Sequence, residues 1–432
     1  MSAGLDKYFA GTAFTNDGTL VWNTADRLGF SASTVVNTGL LDLRQNANLD
    51  YIGGSGSTIV NGGTLRKSGA DGTSTVTSGN LAFINAVNAT LDVRAGTFDF
   101  AGGNATFQNG SRFIGAGVVR GAANATFAGH CTSSDLVLAG GNFQGADAHA
   151  RGTTRWTGGQ FTGQWQIDAG QTVEASGAAD KNFNGAAFTN RGTLRWQTAE
   201  RIGLTGSTVV NEGLIDIETD ADFAYIGGSG SAFTNTGVLR KSGDGITSVG
   251  PNIAFTNPGT IEVLAGTLLL PANFGNAGIV TGEGIVQSTT FTNDGTLKPG
   301  AGIGTLTIAG HLVQTAGSIT EFDIGGTASH DVLAVTGNAT LGGSLAVRRA
   351  NGFMPTLGDS FIVMTFANRV GTTGFLDDVT MLGWGGGVDF DVIYGAGTVT
   401  LEVTAVPEPA GVALMAGGRV VLGWAARRRR SA

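Results

Sequence analysis

The stretches FTNDGTL (14–20), VVNTGLLDL (35–43) and IVNGGTL (59–65) share one pattern. An apolar residue is followed by any residue, Asn, any residue and Gly, and then by an alternating apolar run. The pattern returns as FTNRGTL (188–194), VVNEGLIDI (209–217), FTNTGVL (233–239), FTNPGTIEV (255–263), FGNAGIV (274–280) and FTNDGTLKPG (291–300). Its asparagines are Asn16, Asn37 and Asn61, then Asn190, Asn211, Asn235, Asn257, Asn276 and Asn293. The steps between them are 21 and 24 residues in the first group, and 21, 24, 22, 19 and 17 in the second. A period near 20 residues that holds short alternating strands and tight turns suits one rung of a coil of parallel strands, each rung stacked about 4.8 Å above the last. Apolar alternates such as Leu41 and Leu43, or Ile215 and Ile217, are expected to fill the inside. Asn and Gly are expected at the turns because both tolerate positive φ, and Asn above Asn can stack into an amide ladder.

A second, longer period contains the first. Lys7 matches Lys181, Trp22 matches Trp196 and Tyr51 matches Tyr225, each 174 positions apart, with roughly 38 identities in the 63 positions from Lys7 to Gly69. That is a tandem duplication, assigned to residues 7–100 and 181–270. Residues 103–171 keep the composition but lose the pattern, and read as irregular rungs. A leucine-rich repeat would need Leu-x-x-Leu-x-Leu, and a propeller blade about 40 residues. The fold class expected is therefore all-β: a right-handed parallel β-helix (β-solenoid) over residues 1–323, with about 14 rungs on the order of 65 to 70 Å long.

Composition agrees with that reading. Of 432 residues 73 are Gly, 41% are hydrophobic and 13% are charged, too apolar for a flexible linker and enough to fill a core. The net charge is −8. Without Arg419 and Arg427 to Arg430 about 20 basic groups face 32 or 33 acidic ones, which excludes a nucleic-acid-binding footprint. One cysteine, Cys131, excludes an internal disulfide framework and a cysteine zinc cluster. Met1 to Phe14 holds no basic segment leading into a long apolar one, so an export signal is expected further upstream.

From Leu297 the texture changes. LKPGAGIGTLTIAG (297–310) leads to DVLAVTGNATLGGSLAV (331–347) and GFMPTLGDSFIV (352–363). These motifs resemble the closing segment that follows β-helical passengers in autotransporter and haemagglutinin-like adhesins. The resemblance implies a C-terminal β-sandwich-like cap over 324–404 that covers the strand edges of the last rung. The tail, 405–432, resembles a PEP-CTERM sorting signal: Val406, Pro407, Glu408 and Pro409, an apolar span from Ala410 to Ala426, then Arg427, Arg428, Arg429 and Arg430. That resemblance implies export in a Gram-negative bacterium, transient inner-membrane anchoring by a short apolar helix, and cleavage near Pro407 by an exosortase. The arginines fit the cytoplasmic side. Arg419 in mid-span costs about 2.5–3.5 kcal/mol on insertion scales, so the span suits a processing tag better than a lasting anchor.

Residues able to do chemistry are few. His130, His149, His311 and His330 show none of the i, i+2 or i+4 spacings of a metal site, and no catalytic, metal or cofactor group is expected. Cys131 beside His130 reads as a small buried side chain. The two GGSGS runs, at Gly53 and Gly227, have Thr58 and Ala232 where a calcium repeat needs Asp. Gly300, Gly302 and Gly304 form a turn rather than a phosphate loop. Asp216, Glu218, Asp220 and Asp222 alternate, as on one outer face. Trp22 and Trp196, beside Arg27 and Arg201, could stack on sugar rings or pack a rung. Two functions remain: a surface-associated structural or adhesive protein contacting exopolysaccharide of a biofilm matrix, or a β-helical polysaccharide lyase or glycoside hydrolase.

Overall fold

The computed structural model describes residues 6–375 and 379–406. The fold is all-β, a parallel β-solenoid of about 16 turns, with no helix among the described residues. No described helix is long and apolar enough to cross a membrane. The expected C-terminal apolar helix falls on 410–426, outside the described residues. The chain divides into two compact units, Met1–Val280 with Gly284–Ser288, and Thr281–Glu283 with Thr289–Ala432.

In the first unit each rung is three strands around a triangle. The first described rung is Lys7–Ala10, Ala13–Asn16 and Thr19–Trp22, and these open the first, second and third faces of the coil. Each strand pairs in parallel with its counterpart one rung on: Lys7–Ala10 with Leu28–Ser31, Ala13–Asn16 with Thr34–Asn37, and Thr19–Trp22 with Leu40–Leu43. Burial follows the period of two. In Ser57–Asn61 the residues Ser57, Ile59 and Asn61 face inward while Thr58 and Val60 face outward. Full burial of a Leu, Val or Phe contributes about 1.5–3 kcal/mol, repeated in every rung by residues such as Phe30, Leu65, Phe83, Leu194 and Ile215.

The asparagines form the ladder that their spacing suggested, but inside the coil. Asn16 donates to Asn37 Oδ1 at 2.6 Å, Asn37 to Asn61 at 2.8 Å, and Asn61 to Asn85 at 2.8 Å. Each amide also donates to a carbonyl of the next rung's turn, as Asn37 does to Thr64 at 3.0 Å. The ladder stops at Asn85, which donates to Ser111 Oγ, because the next residue in its column is Phe107. A second ladder links Asn190, Asn211, Asn235, Asn257 and Asn276 at 2.6–2.8 Å.

The glycine of the motif has a different reason from the one expected. The motif's Asn16, Asn37 and Asn61, with Gly39 and Gly63, all keep negative φ. What Gly provides is room. A Cβ on Gly39 would lie 2.0 Å from the carbonyl oxygen of Gly18, and one on Gly63 would lie 2.2 Å from that of Gly39. Successive Asn-x-Gly corners nest backbone on backbone, and any side chain would push the rungs apart.

The two copies are not in phase. Lys7 opens the first face, whereas Lys181, its duplicate, lies on the second, paired to Gly159 in a ladder that runs back to Ala13–Asn16. The rungs between the copies are shorter, so 174 residues do not make a whole number of turns. The second asparagine ladder therefore runs on the third face, one face round from the first.

In the second unit parallel pairing continues past residue 323. Ile319–Gly326 pairs with Ser344–Arg349, which pairs with Thr380–Leu382. The pairing then changes sense: Ser360–Thr365, Thr398–Ala405 and Asp389–Tyr394 form an antiparallel ladder in that order. Phe361, Val363, Val399, Leu401 and Phe390 fill its inner side, beside Trp384, whose indole donates to Val347 O at 2.8 Å.

Candidate functional site

Between the two copies the strands become long: Ala125–Leu138, Asn142–Trp156 and Gly159–Ile167 each bend from face to face, with register shifts such as Ala128/Gly129, Ser133/Leu136 and Gly145/Ala148. Here the outer surface of the second face carries a polar groove of about 350 Å³ lined by Asn104, Thr106, Asn124, Thr126, Asn142 and Gln144. Parallel register places Thr106, Thr126 and Gln144 in one column. Neighbouring rungs brace each other: Asn124 Oδ1 accepts from Asn142 N at 2.8 Å, and Gln144 Oε1 accepts from Thr162 at 3.0 Å. The groove presents a row of uncharged donors and acceptors that repeats once per rung.

On the third face of the same strands the parallel register puts His130 against His149 and His149 against Gln166. The two imidazole rings lie 4.4 Å apart. Asp168, just beyond Gln166, reaches back: its Oδ1 meets His149 Nδ1 and Gln166 Nε2 at 2.7 Å each, and its Oδ2 accepts from Arg151 Nε at 2.5 Å. Burial works to raise the Asp168 carboxyl, but the bonds from His149, Arg151 and Gln166 outweigh it and hold it down to about 2. His130 Nδ1 is enclosed and makes no hydrogen bond, 3.7 Å from Asp168 Oδ2. His130, His149 and Asp168 are the cluster among the described residues whose ligand atoms lie close enough to share a metal ion. Sequence reasoning missed it by testing helix and hairpin spacings. Register carries His130 to His149 in a rung of 19 residues and His149 to Gln166 in one of 17, with Asp168 two residues further on.

The other sequence candidates take structural places. Trp22 and Trp196 are 1% and 0% exposed, and their indoles donate to the carbonyls of Asp26 and Glu200. Enclosed rings cannot stack on a sugar, so that glycan contact is withdrawn. Cys131 points into the coil, opposite His130, and burial pushes its thiol up to about 12, which keeps it protonated and unreactive at neutral pH. The alternating acids are bound to neighbours: Glu218 to Arg195 at 2.7 Å, Asp216 to Ser242 at 2.6 Å, Asp222 to Ser248 at 2.7 Å. Asp216 and its column form a charge ladder on the first face, Glu174, Arg195, Asp216, Arg240 and Glu262 in successive rungs. In the second unit Asp331 is fully buried and accepts from Gly304 N and Asp323 N at 2.8 Å each, and burial pushes its carboxyl up to about 7. His330, next to it, lies partly exposed with Nε2 3.2 Å from Ile362 O, and His311 Nδ1 accepts from Asn338 N. Of the sorting motif Val406 is the last described residue. Pro407, Glu408, Pro409 and Arg427 to Arg430 lie outside.

No protein-family model matches the chain, and no curated protein matches it.

Proposed function

We propose that this chain is an exported, surface-associated structural or adhesive solenoid that contacts exopolysaccharide through the amide-lined groove of its second face. The observation that carries the adhesive reading is that groove, in which Asn104, Asn124 and Asn142 stand one rung apart, Asn124 Oδ1 accepting from Asn142 N and Asn142 Oδ1 from Gln160 Nε2. A pyranose chain lying along the coil axis meets a new set of donors and acceptors about every 4.8 Å. Export rests on the tail: Val406 to Pro409, the apolar span and Arg427 to Arg430 are read as a signal that an exosortase-type enzyme cuts after transient anchoring in the inner membrane. The coil is read as right-handed, the sense that twisted parallel strands of L-residues adopt in nearly all crossovers.

One observation favours the enzymatic alternative. His149, Asp168 and Arg151 converge on an outer face, as the groups of a polysaccharide lyase or hydrolase must. Purified protein incubated with pectin, alginate and the producing cell's own exopolysaccharide separates the two readings. Retention of a polysaccharide with no new reducing or unsaturated ends, and loss of retention in Asn124→Ala/Asn142→Ala, supports the adhesive reading. Release of such ends, abolished by His149→Ala, overturns it in favour of the enzyme.

A further inference from the structure

We propose that His130, His149 and Asp168 bind one divalent transition-metal ion of the zinc class on the outer surface of the third face. The site does not depend on the adhesive reading. Three consecutive rungs each supply one ligand, and the ligand atoms already lie within 4.8 Å of one another. In a tetrahedral zinc site, with bonds of about 2.0–2.1 Å, two ligand atoms stand roughly 3.4 Å apart. Side-chain rotation alone closes the difference, because all three groups project from the surface of a rigid ladder.

The unpartnered nitrogen points the same way. His130 Nδ1 is enclosed without a hydrogen bond, an arrangement that leaves a polar atom unsatisfied unless something else occupies its lone pair. A metal ion placed between the two tilted rings satisfies it. His149 Nδ1 holds its proton against the Asp168 carboxylate at 2.7 Å, and a metal ion bound at this nitrogen displaces that proton. Arg151 and Gln166 hold Asp168 from the side, as outer partners hold a ligating carboxylate. Arg151 uses Oδ2, so Oδ1 is the oxygen that turns to the metal, giving up its contact with His149. Two imidazoles and a single carboxylate suit zinc, nickel or copper; calcium and magnesium need more oxygens. The fourth position is left to water.

The test uses the untagged, metal-stripped full-length chain. Titration calorimetry with Zn²⁺ is expected to show one saturable site per chain. His130→Ala and His149→Ala are each expected to weaken it at least tenfold, and His311→Ala to leave it unchanged. A second readout needs no variant. On adding Zn²⁺ the imidazole NMR signals of His130 and His149 shift, while those of His311 and His330 stay. No saturable binding, binding that survives loss of both His130 and His149, or equal shifts at all four histidines overturns the site.

Discussion

Trp22 and Trp196 hold the same place in two copies of one sequence, yet Trp22 closes a strand on the third face of the coil and Trp196 a strand on the first. Each is buried in the interior, and each indole donates to the carbonyl four residues on, Asp26 or Glu200. The local fold has been copied faithfully while its direction has changed. A triangular rung permits this because its three faces offer equivalent backbone ladders. A copy displaced by a third of a turn finds the same neighbours above and below. Surface features of the second copy consequently face one side away from those of the first.

The second asparagine ladder predicts a graded cost. Asn211 accepts from Asn190 and donates to Asn235 and to Val238 O, so Asn211→Ala strands several buried groups and is expected to cost about 2–4 kcal/mol. Asn190 begins its ladder with a buried Oδ1 that has no partner, since Ile167 precedes it in the column. Asn190→Ala removes that orphan and is expected to cost less, about 1–2 kcal/mol. Denaturant midpoints of the two variants check the order.

Nesting of the corners makes Gly213 irreplaceable. A Cβ there meets Gly192 O at 2.1 Å, and that backbone oxygen cannot yield without opening a rung. Gly213→Ala is expected to destabilise by about 3 kcal/mol or more, as strong overpacking does. The nearby exposed Gly185, where a Cβ meets nothing, is a poor control because its φ is +59°. Gly275, unobstructed and with ordinary φ, is the proper one, and Gly275→Ala is expected to be near neutral in the same thermal melt.

Burial of the tryptophans is testable against the sugar-stacking idea. Trp196→Ala is expected to cost about 3–5 kcal/mol through the cavity it leaves. The fraction that remains folded should retain polysaccharide as the parent does. A binding loss larger than the folding loss, measured by sedimentation with polysaccharide at matched folded fraction, contradicts the packing role.

The coil was legible in the sequence because its signal is local: an Asn-x-Gly corner and an apolar alternation recur in every rung. The duplication was legible for the same reason. Its phase was not, since that depends on the summed lengths of irregular rungs between Gly103 and Gln171. The histidine cluster was hidden by the same irregularity. Residues 130, 149 and 168 meet only when they are laid on consecutive rungs of 19 and 17 residues, with Asp168 reaching back from two residues past Gln166. Glycine's role was misread as one of conformational freedom, because the obstructing atom, Gly18 O above Gly39, belongs to another rung.

Two carboxyls predict opposite pH responses in the two units. The folded-state value for Asp331 is about 7, against about 3.9 for an unfolded aspartate. The folded state therefore holds the extra proton in that window. The stability Asp331 lends is full below about pH 4 and fades as pH rises through 7, at about 1 kcal/mol per pH unit. Asp168, held down to about 2, behaves in reverse: its contribution is present above about pH 4 and is lost as pH falls towards 2. Amide hydrogen exchange read separately for 320–349 and 143–175 is expected to show these opposed slopes, and Asp331→Asn to flatten the first.

Intact-mass measurement of the protein recovered from producing cells tests the functional account most directly. The account predicts recovery from the cell surface or the surrounding matrix, with a C-terminus near Pro407, Glu408 and Pro409 and without Arg427 to Arg430. Recovery from the cytoplasm alone, with the four arginines still attached, contradicts it.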